Sequence, residues 1–142
     1  PPEFGETLSY TKVYLGKLYG ETVTIEKYLE GTFTKHVNNT GEVCGNDSEL
    51  SLKAETFCHF TYMKSGKQLM VVDVQGVGFT LCDPEVATTD LLDPVEHAVL
   101  FCCGNLGLRA INQFKENHIC NKYCDILKLE EFMPEPKDGN QE

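Results

Sequence analysis

Two carboxylates and an amide interrupt a stretch of mostly apolar and glycine residues between positions 71 and 84. Asp73 and Gln75 stand two positions apart, so a strand over residues 68–75 directs both side chains to the same face of a sheet. Asp83 follows a predicted turn and a second short strand, and it can return to that face. Carboxylate and amide oxygens suit Mg²⁺, which keeps several waters and bridges substrate phosphates. The stretch therefore indicates a site for a cation and phosphates.

A second candidate is the segment Gly104–Gly107, GNLG, at the start of a predicted helix. Backbone N–H groups at a helix start can receive an anion or a peptide backbone, and small residues such as glycine let either approach. Each feature also has a structural interpretation, because Asp-Pro pairs open turns and Gly-Asn segments cap helices. Taken together with an acid and an amide inside a Val-rich strand, they favour function.

A third cluster has the chemistry of a metal site. His118, Cys120 and Cys124 form H-x-C-x3-C, and if Cys120 opens a helix the two thiols lie one turn apart on one side. A tetrahedral zinc site needs a fourth ligand, for which His59, in core-facing helical sequence, is the best candidate. The alternative is a core histidine beside two buried thiols. A closed four-ligand site would be structural.

Hydrophobic periodicity indicates the elements that must position these residues. The predicted strands cover 11–19, 22–29, 68–75 and 79–82, with a turn at 76–78. The predicted helices cover 48–63, capped by Asp47 or Ser48, then 106–117, capped by Asn105, and 121–132. Loops are predicted over 30–46 and 83–100. Strands first and helices later predict an α+β fold.

Composition limits the class of protein. A chain of 142 residues suits one domain, and its net charge of −10 argues against nucleic acid or an anionic membrane as a partner. An apolar run of about 18 residues, which a membrane helix needs, is not found. Seven cysteines, an odd number, favour a reducing compartment, and we expect a cytoplasmic location. The acidic segment 130–142 is predicted to be a disordered tail after a domain over 6–129.

Motifs along the chain resemble the catalytic domain of the alpha-kinases, a family of atypical protein kinases, and they come in family order over about 13–129. The matching motifs are Glu26-x-Tyr28-Leu29-Glu30-Gly31, Phe33-x-Lys35, Asn38-Asn39, Phe57-x-His59-Phe60-Thr61-Tyr62, Val72-Asp73-Val74-Gln75-Gly76-Val77, Asp83-Pro84, Gly104-Asn105-Leu106-Gly107 and His118-x-Cys120-Asn121-Lys122-x-Cys124. The D-x-Q-G-V and H-x-C-N-x2-C motifs are the most specific of these. The resemblance implies an alpha-kinase-like α+β fold with hinge strands and a zinc-stapled C-terminal lobe.

The resemblance also implies a serine/threonine protein kinase that transfers the γ-phosphate of ATP to protein hydroxyls with Mg²⁺. Asp73 resembles the catalytic aspartate beside the accepting hydroxyl. Gln75 and Asp83 resemble the Mg²⁺ ligands, and Asn105 would lie beside the same metal and phosphates.

The remaining roles implied by the resemblance concern the nucleotide and the zinc. The predicted nucleotide contacts are Glu26 and Tyr28 at an adenine-binding hinge, and Lys35 and Asn39 along the nucleotide edge. The predicted glycine-rich substrate loop includes Gly104 and Gly107. The implied structural zinc ligands are His59, His118, Cys120 and Cys124.

One departure from the family pattern bears on activity. The lysine that grips the phosphates in the family lies on a strand of the N-terminal lobe, and no counterpart precedes Val13 in this sequence. We therefore expect the chain to be the hinge strands and C-terminal lobe, with most of the N-terminal lobe missing. Activity would need that lobe in cis or as a separate chain. The alternative is a zinc-stabilised, pseudokinase-like binding or regulatory module.

Overall fold

The structure is a computed structural model that describes residues 1–133, and these form the predicted α+β fold. The strands are β1 Ser9–Tyr10, β2 Val13–Leu18, β3 Glu21–Glu26, β4 Phe33–Val37, β5 Leu69–Val72, β6 Val74–Val77, β7 Thr80–Cys82 and β8 Glu85–Thr88. The helices are α1 Glu49–Lys64, α2 Leu108–Asn117 and α3 Lys122–Ile126, after a 3₁₀ turn at Pro2–Phe4. None of the helices in this part of the chain is long and apolar enough to cross a membrane.

The central sheet has the strand order β1-β7-β6-β4, in which β1 runs parallel to β7 and the other pairs are antiparallel. Two further pairs stand beside it, the hairpin β2–β3 and the antiparallel pair β5–β8. The predicted hairpin is confirmed, with a register from Val13 opposite Glu26 to Leu18 opposite Glu21. Many of its apolar side chains are exposed, including Leu15 at 78% and Tyr19 at 99%.

The predicted strand over 68–75 is wrong in one respect, because two strands of different sheets divide it. Residues 69–72 pair with β8, whereas 74–77 pair with β4 and β7. Asp73 stands between them with φ 53°, a left-handed conformation that turns the chain from one sheet to the other.

Three other predictions of loops and turns differ from the structure. The predicted loop over 30–46 contains β4, which forms a strand by pairing with β6. The predicted irregular segment 83–100 contains β8, which pairs with β5. Gly76 and Val77 belong to β6, so the turn to β7 is formed by residues 78–79. In each case, pairing with a strand distant in sequence decides the conformation.

The first helix follows its prediction most closely. Ser48 caps α1 by accepting a hydrogen bond from the backbone N–H of Ser51, and Glu49 lies favourably in the first turn. Helix α2 begins later than predicted and takes Gly107, φ 63°, as its cap in place of Asn105. Helix α3 is capped by Asn121 but ends at Ile126 rather than 132, because Lys128 adopts φ 55° and terminates it.

The core lies between the helices α1 and α2 and the strands that they cover. Its fully buried side chains are Val37, Ala54, Cys58, Met70, Val72, Val74, Leu81, Ala87, Ala110, Ile111 and Phe114. Phe132, in the first residues of the predicted tail, packs against this core, with its ring centroid 4.2 Å from that of His59. The rest of the predicted tail, 134–142, lies outside the described residues.

Candidate functional site

Four of the predicted site residues come together at one end of the central sheet. Lys35 and Gln75 are opposite each other in the β4–β6 ladder. Lys35 Nζ donates to Asp73 Oδ1 at 2.6 Å, and Gln75 Nε2 donates to Asp73 Oδ2 at 2.9 Å. Gln75 Nε2 also lies 3.4 Å from the backbone oxygen of Asp83. The structure thus joins Lys35, Asp73, Gln75 and Asp83, called the sheet-edge cluster below.

The hydrogen bonds of this cluster orient its possible ligands. Because the Gln75 amide nitrogen faces the oxygens of Asp73 and Asp83, its carbonyl oxygen is the atom left for a cation. The Asp83 side chain is exposed, whereas that of Asp73 is only 13% exposed. Both acids adopt positive φ, 53° at Asp73 and 48° at Asp83. Aspartate tolerates this conformation better than most residues, and such strained positions are frequent at functional sites.

A loop beside Asp73 carries Asn39. The Asn38 side-chain oxygen accepts from the backbone N–H groups of Thr40 and Glu42, at 3.0 Å each, and so closes the loop. The loop contacts Asp73, whose backbone N–H donates a hydrogen bond of 3.3 Å to the Asn38 carbonyl. Gly41, φ 82°, lets the loop approach α2, since a Cβ there would lie 2.0 Å from the Ala110 oxygen. Asn38 therefore organises this loop, a role that sequence reasoning missed although its N-x-T-G spacing is typical of turns.

The two predicted hinge residues lie at and beyond the end of β3. Glu26 is exposed at the last position of that strand, and Tyr28 is 85% exposed just after it. Burial, and then the negative charges of Glu26, Asp83 and Asp73, raise the pKa of the Cys82 thiol. The thiol of Cys82 thus senses the charges of Glu26 and of both acids of the sheet-edge cluster. Cys82, opposite Gln75 in the β6–β7 ladder, is a neighbour of the site that sequence reasoning did not identify.

Asn105 is buried, with 4% exposure, and its amide is occupied within the protein. Its oxygen accepts from the backbone N–H groups of Thr88 at 3.1 Å and Gly107 at 2.9 Å. Its nitrogen donates to the Thr88 hydroxyl at 2.7 Å and the Leu100 carbonyl at 3.0 Å. These contacts hold the Gly104–Gly107 loop against β8. A direct contact of Asn105 with a cation stays a prediction.

The Gly104–Gly107 loop needs glycine at its first position for a steric reason. The Glu85 carboxyl group packs over Gly104, where an added Cβ would lie 2.4 Å from it. The same carboxylate accepts a hydrogen bond from the Cys102 thiol. The loop is therefore fixed at both ends, by Glu85 on β8 and by Asn105.

The four predicted metal-binding side chains lie together in the structure and are called the metal cluster below. One donor atom from each of His59, His118, Cys120 and Cys124 lies within 4.8 Å of the others. His59 comes from α1, His118 directly follows α2, and Cys124 lies in α3, so the cluster connects three helices. His59 and Cys124 are fully buried.

The donor distances fit a tetrahedral zinc ion. With Zn–N of about 2.05 Å and Zn–S of about 2.3 Å, such a centre separates nitrogen from sulfur by about 3.6 Å. Cys124 Sγ lies 3.5 Å from His118 Nε2, and Cys120 Sγ lies 3.7 Å from His59 Nδ1. The set of two nitrogens and two sulfurs is common in structural zinc sites. The residues present therefore suit this metal.

The protonation of the cluster is also suited to a metal. Although burial alone would raise it, the pKa of Cys124 is lowered to about 5 by hydrogen bonds from His118, His59 and Thr56. Burial and the nearby Cys124 raise the pKa of Cys120 to about 12. One thiol is thus readily ionised, and a cation would favour ionisation of both.

The chain is similar in sequence to known protein kinases. A model of the alpha-kinase family matches residues 3–124. Eukaryotic elongation factor 2 kinase of Homo sapiens is 38% identical over 114 residues, which cover 80% of this chain and 14% of that protein. Alpha-protein kinase 1 of Dictyostelium discoideum is 38% identical over 112 residues, which cover 79% of this chain and 8% of that protein.

The fold also matches solved structures. The inactive alpha-kinase domain of myosin heavy chain kinase A, solved in complex with ATP, superposes with a TM-score of 0.74 at 31% identity. The match covers 91% of this chain and 50% of that one, so the chain spans about half of the solved domain. It spans a much smaller part of the two kinases above. The family match over most of the sequence, with these identities, shows that the chain belongs to the alpha-kinase family.

Proposed function

We propose that the chain forms the hinge strands and C-terminal lobe of a serine/threonine protein kinase, in which it binds Mg²⁺ and ATP and positions a protein hydroxyl. The observation that carries the proposal is the sheet-edge cluster, in which Lys35, Asp73, Gln75 and Asp83 meet at the end of one sheet. Membership of the alpha-kinase family and the likeness to an ATP complex support it.

In this proposal Asp73 faces the accepting hydroxyl and takes its proton. Lys35 and Gln75 each donate to one oxygen of this carboxylate, which fixes its orientation before substrate arrives. The Gln75 carbonyl oxygen and the Asp83 carboxylate would hold Mg²⁺, which neutralises phosphate charge when bound. Phosphoryl transfer depends mostly on such positioning and charge neutralisation, so a preorganised acid and ligand pair suits it.

The nucleotide would lie along residues that line this end of the sheet. Glu26 and Tyr28 would contact adenine, and Lys35 and Asn39 would follow its edge. Asn39 is suited to this because Asn38 holds its loop against Asp73. The fixed loop from Gly104 to Gly107 would receive the protein substrate.

Two partners complete the proposal. A zinc ion held by His59, His118, Cys120 and Cys124 would tie the three helices together and supply folding free energy. An N-terminal lobe, in cis or as a separate chain, would cover the hairpin β2–β3 and bring the phosphate-gripping lysine. The exposed apolar side chains of this hairpin, with Leu15 at 78% exposure, support such a cover, as does a match to half of a solved domain. We place the assembled kinase in the cytoplasm.

The test is transfer of labelled phosphate from ATP to a mixture of basic peptides, followed by phosphoamino-acid analysis. Three samples are compared, namely the chain alone, the chain with an N-terminal lobe, and that second sample carrying Asp73→Asn. We expect phosphoserine or phosphothreonine in the second sample only. Transfer that persists in the Asp73→Asn sample would contradict the role of Asp73. Silence in all three samples, with zinc bound and the fold intact, would favour the binding-module interpretation instead.

A further inference from the structure

Glu55 is a buried acid that none of the proposed roles uses. It lies on α1 one turn before His59, so the two side chains leave the helix on the same side. Glu55 Oε2 accepts a hydrogen bond from His118 Nδ1 at 3.0 Å. Both residues are only 8% exposed, so water competes little for this contact.

The contact fixes which nitrogen of His118 can bind a metal. Because Nδ1 carries the proton that Glu55 accepts, Nε2 is left with a free lone pair, and it points to Cys124 Sγ at 3.5 Å. His59 is arranged in the opposite sense. Its Nε2 contacts the backbone oxygen of Glu130 at 3.0 Å, and its Nδ1 faces the cluster.

The outer contacts of the two histidines differ in charge. His59 has a neutral carbonyl as its outer partner, and the thiol of Cys124 has the Thr56 hydroxyl at 3.3 Å. Among the described contacts of the four donors, Glu55 provides the charged hydrogen-bond acceptor. A carboxylate on the outer nitrogen orients the ring and makes the inner nitrogen more basic, and loss of such a partner weakens metal binding.

We infer that Glu55 is a positioning residue of the zinc centre, holding His118 with Nε2 toward the metal and strengthening that ligand. The inference rests on the proposed zinc centre. It assigns the centre a fifth essential side chain, which lies on the helix that already supplies His59. The centre is thus held to α1 by two side chains one turn apart.

Zinc affinity, measured by competition with a chromogenic chelator, tests this inference. Wild type is compared with Glu55→Ala, Glu55→Gln and the control Glu116→Gln, the same charge change on an exposed side chain two residues before His118. We expect the dissociation constant to rise by about 10- to 100-fold in Glu55→Ala. Glu55→Gln keeps an acceptor oxygen but loses the charge, so we expect a smaller rise of at least about threefold. Glu116→Gln should match wild type.

The spectrum of the Co²⁺-loaded proteins gives a second readout that general destabilisation would not move. We expect sulfur-to-cobalt charge-transfer bands in wild type and in both Glu55 variants, with the visible d–d bands shifted in the variants because the His118 ligand changes. Affinities within twofold of wild type and unchanged d–d bands would overturn the role of Glu55. If Glu55→Ala does not fold, the same two measurements on Glu55→Gln decide. A folded wild type that binds neither metal would instead overturn the zinc centre itself.

Discussion

Lys35 Nζ lies 2.6 Å from Asp73 Oδ1, and this ion pair joins the strand β4 to the residue at which the chain passes from β5 to β6. The Lys35 side chain is 42% exposed and that of Asp73 13%, so the pair lies at the rim of the sheet rather than in the core. A partly solvated pair at the end of a sheet orients a carboxylate at little cost to stability. The Lys35–Asp73 pair therefore serves to orient the Asp73 carboxylate more than to stabilise the fold.

Replacement of Lys35 by Met should therefore affect function far more than stability. An ion pair with one partner this exposed contributes about 1 kcal/mol or less. We expect the free energy of unfolding in urea to fall by no more than that, while phosphate transfer by the chain with its N-terminal lobe falls at least about tenfold. Lys64→Met, an exposed lysine at the end of α1 and away from the hairpin, is the control for transfer. A loss of several kcal/mol in stability without loss of transfer would show that Lys35 is structural.

Cys124→Ala should remove both zinc and the folded state under conditions in which the wild type is folded. The expected loss is large because zinc binding free energy becomes folding free energy. Cys58→Ala is the control, since Cys58 is a fully buried thiol of α1 outside the metal cluster. It should cost about 1 kcal/mol through its small cavity and retain one zinc per chain. Metal content by mass spectrometry and circular dichroism check both variants. A folded, metal-free Cys124→Ala protein would contradict the structural role of zinc.

Asn105→Ala tests whether this residue acts by holding its loop. The change leaves the buried backbone N–H groups of Thr88 and Gly107 without their acceptor, which should cost about 2–3 kcal/mol in urea unfolding. Asn117→Ala is the control, because its exposed amide makes a single described contact, with the Gln113 carbonyl at 2.7 Å. It should change stability by less than about 0.5 kcal/mol. Equal effects of the two substitutions would show that the loop does not depend on Asn105.

Lys53 is a fully buried lysine whose charge and stem can be tested separately. Its Nζ contacts Glu49 Oε1 at 2.7 Å and the Glu6 carbonyl at 2.5 Å. Three aromatic rings lie 5.0–5.1 Å from the same atom: Phe4, Phe79 and Tyr123. Removing the charge leaves no buried acid behind, since the Glu49 side chain is 55% exposed.

We therefore expect Lys53→Met, which keeps the stem, to cost about 1 kcal/mol or less, and Lys53→Ala to cost at least about 2 kcal/mol more because it opens a cavity. Thermal and urea unfolding of the two variants measure the difference. Equal destabilisation by both substitutions would show that the charge, rather than the packing of the stem, holds the N-terminal segment to α1 and α3.

The sequence predicted the local features well where residue type alone decides them. Ser48 caps its helix, and residues 13–26 form the hairpin, because capping and alternation are local properties. The metal cluster followed from the spacing of His118, Cys120 and Cys124, with His59 found by its place in core-facing sequence.

Other features depend on contacts that a single sequence does not display. The break at Asp73 was missed because apolar residues run on both sides of it, and the change of sheet depends on which distant strands pair with each half. Strands β4 and β8 were not predicted for the same reason, because they lie in glycine- and proline-containing segments and form by pairing with distant strands. Asn38 contacts Asp73 of the sheet-edge cluster, and Glu55 contacts His118 of the metal cluster. Both contacts join segments that are distant in sequence and meet only in the folded chain.

Binding of Mn²⁺-ATP measures whether the end of the central sheet holds the metal and the nucleotide. The free Mn²⁺ signal in electron paramagnetic resonance is followed in the chain with its N-terminal lobe, for wild type, Asp83→Asn and the exposed control Asp90→Asn. Asparagine tolerates the left-handed conformation at position 83, φ 48°, so the backbone is kept while the charge is lost.

We expect wild type and Asp90→Asn to remove the free Mn²⁺ signal at the same protein concentration, whereas Asp83→Asn should need at least about tenfold more protein. Equal binding by Asp83→Asn and wild type would show that Asp83 is not a ligand and that the metal binds elsewhere.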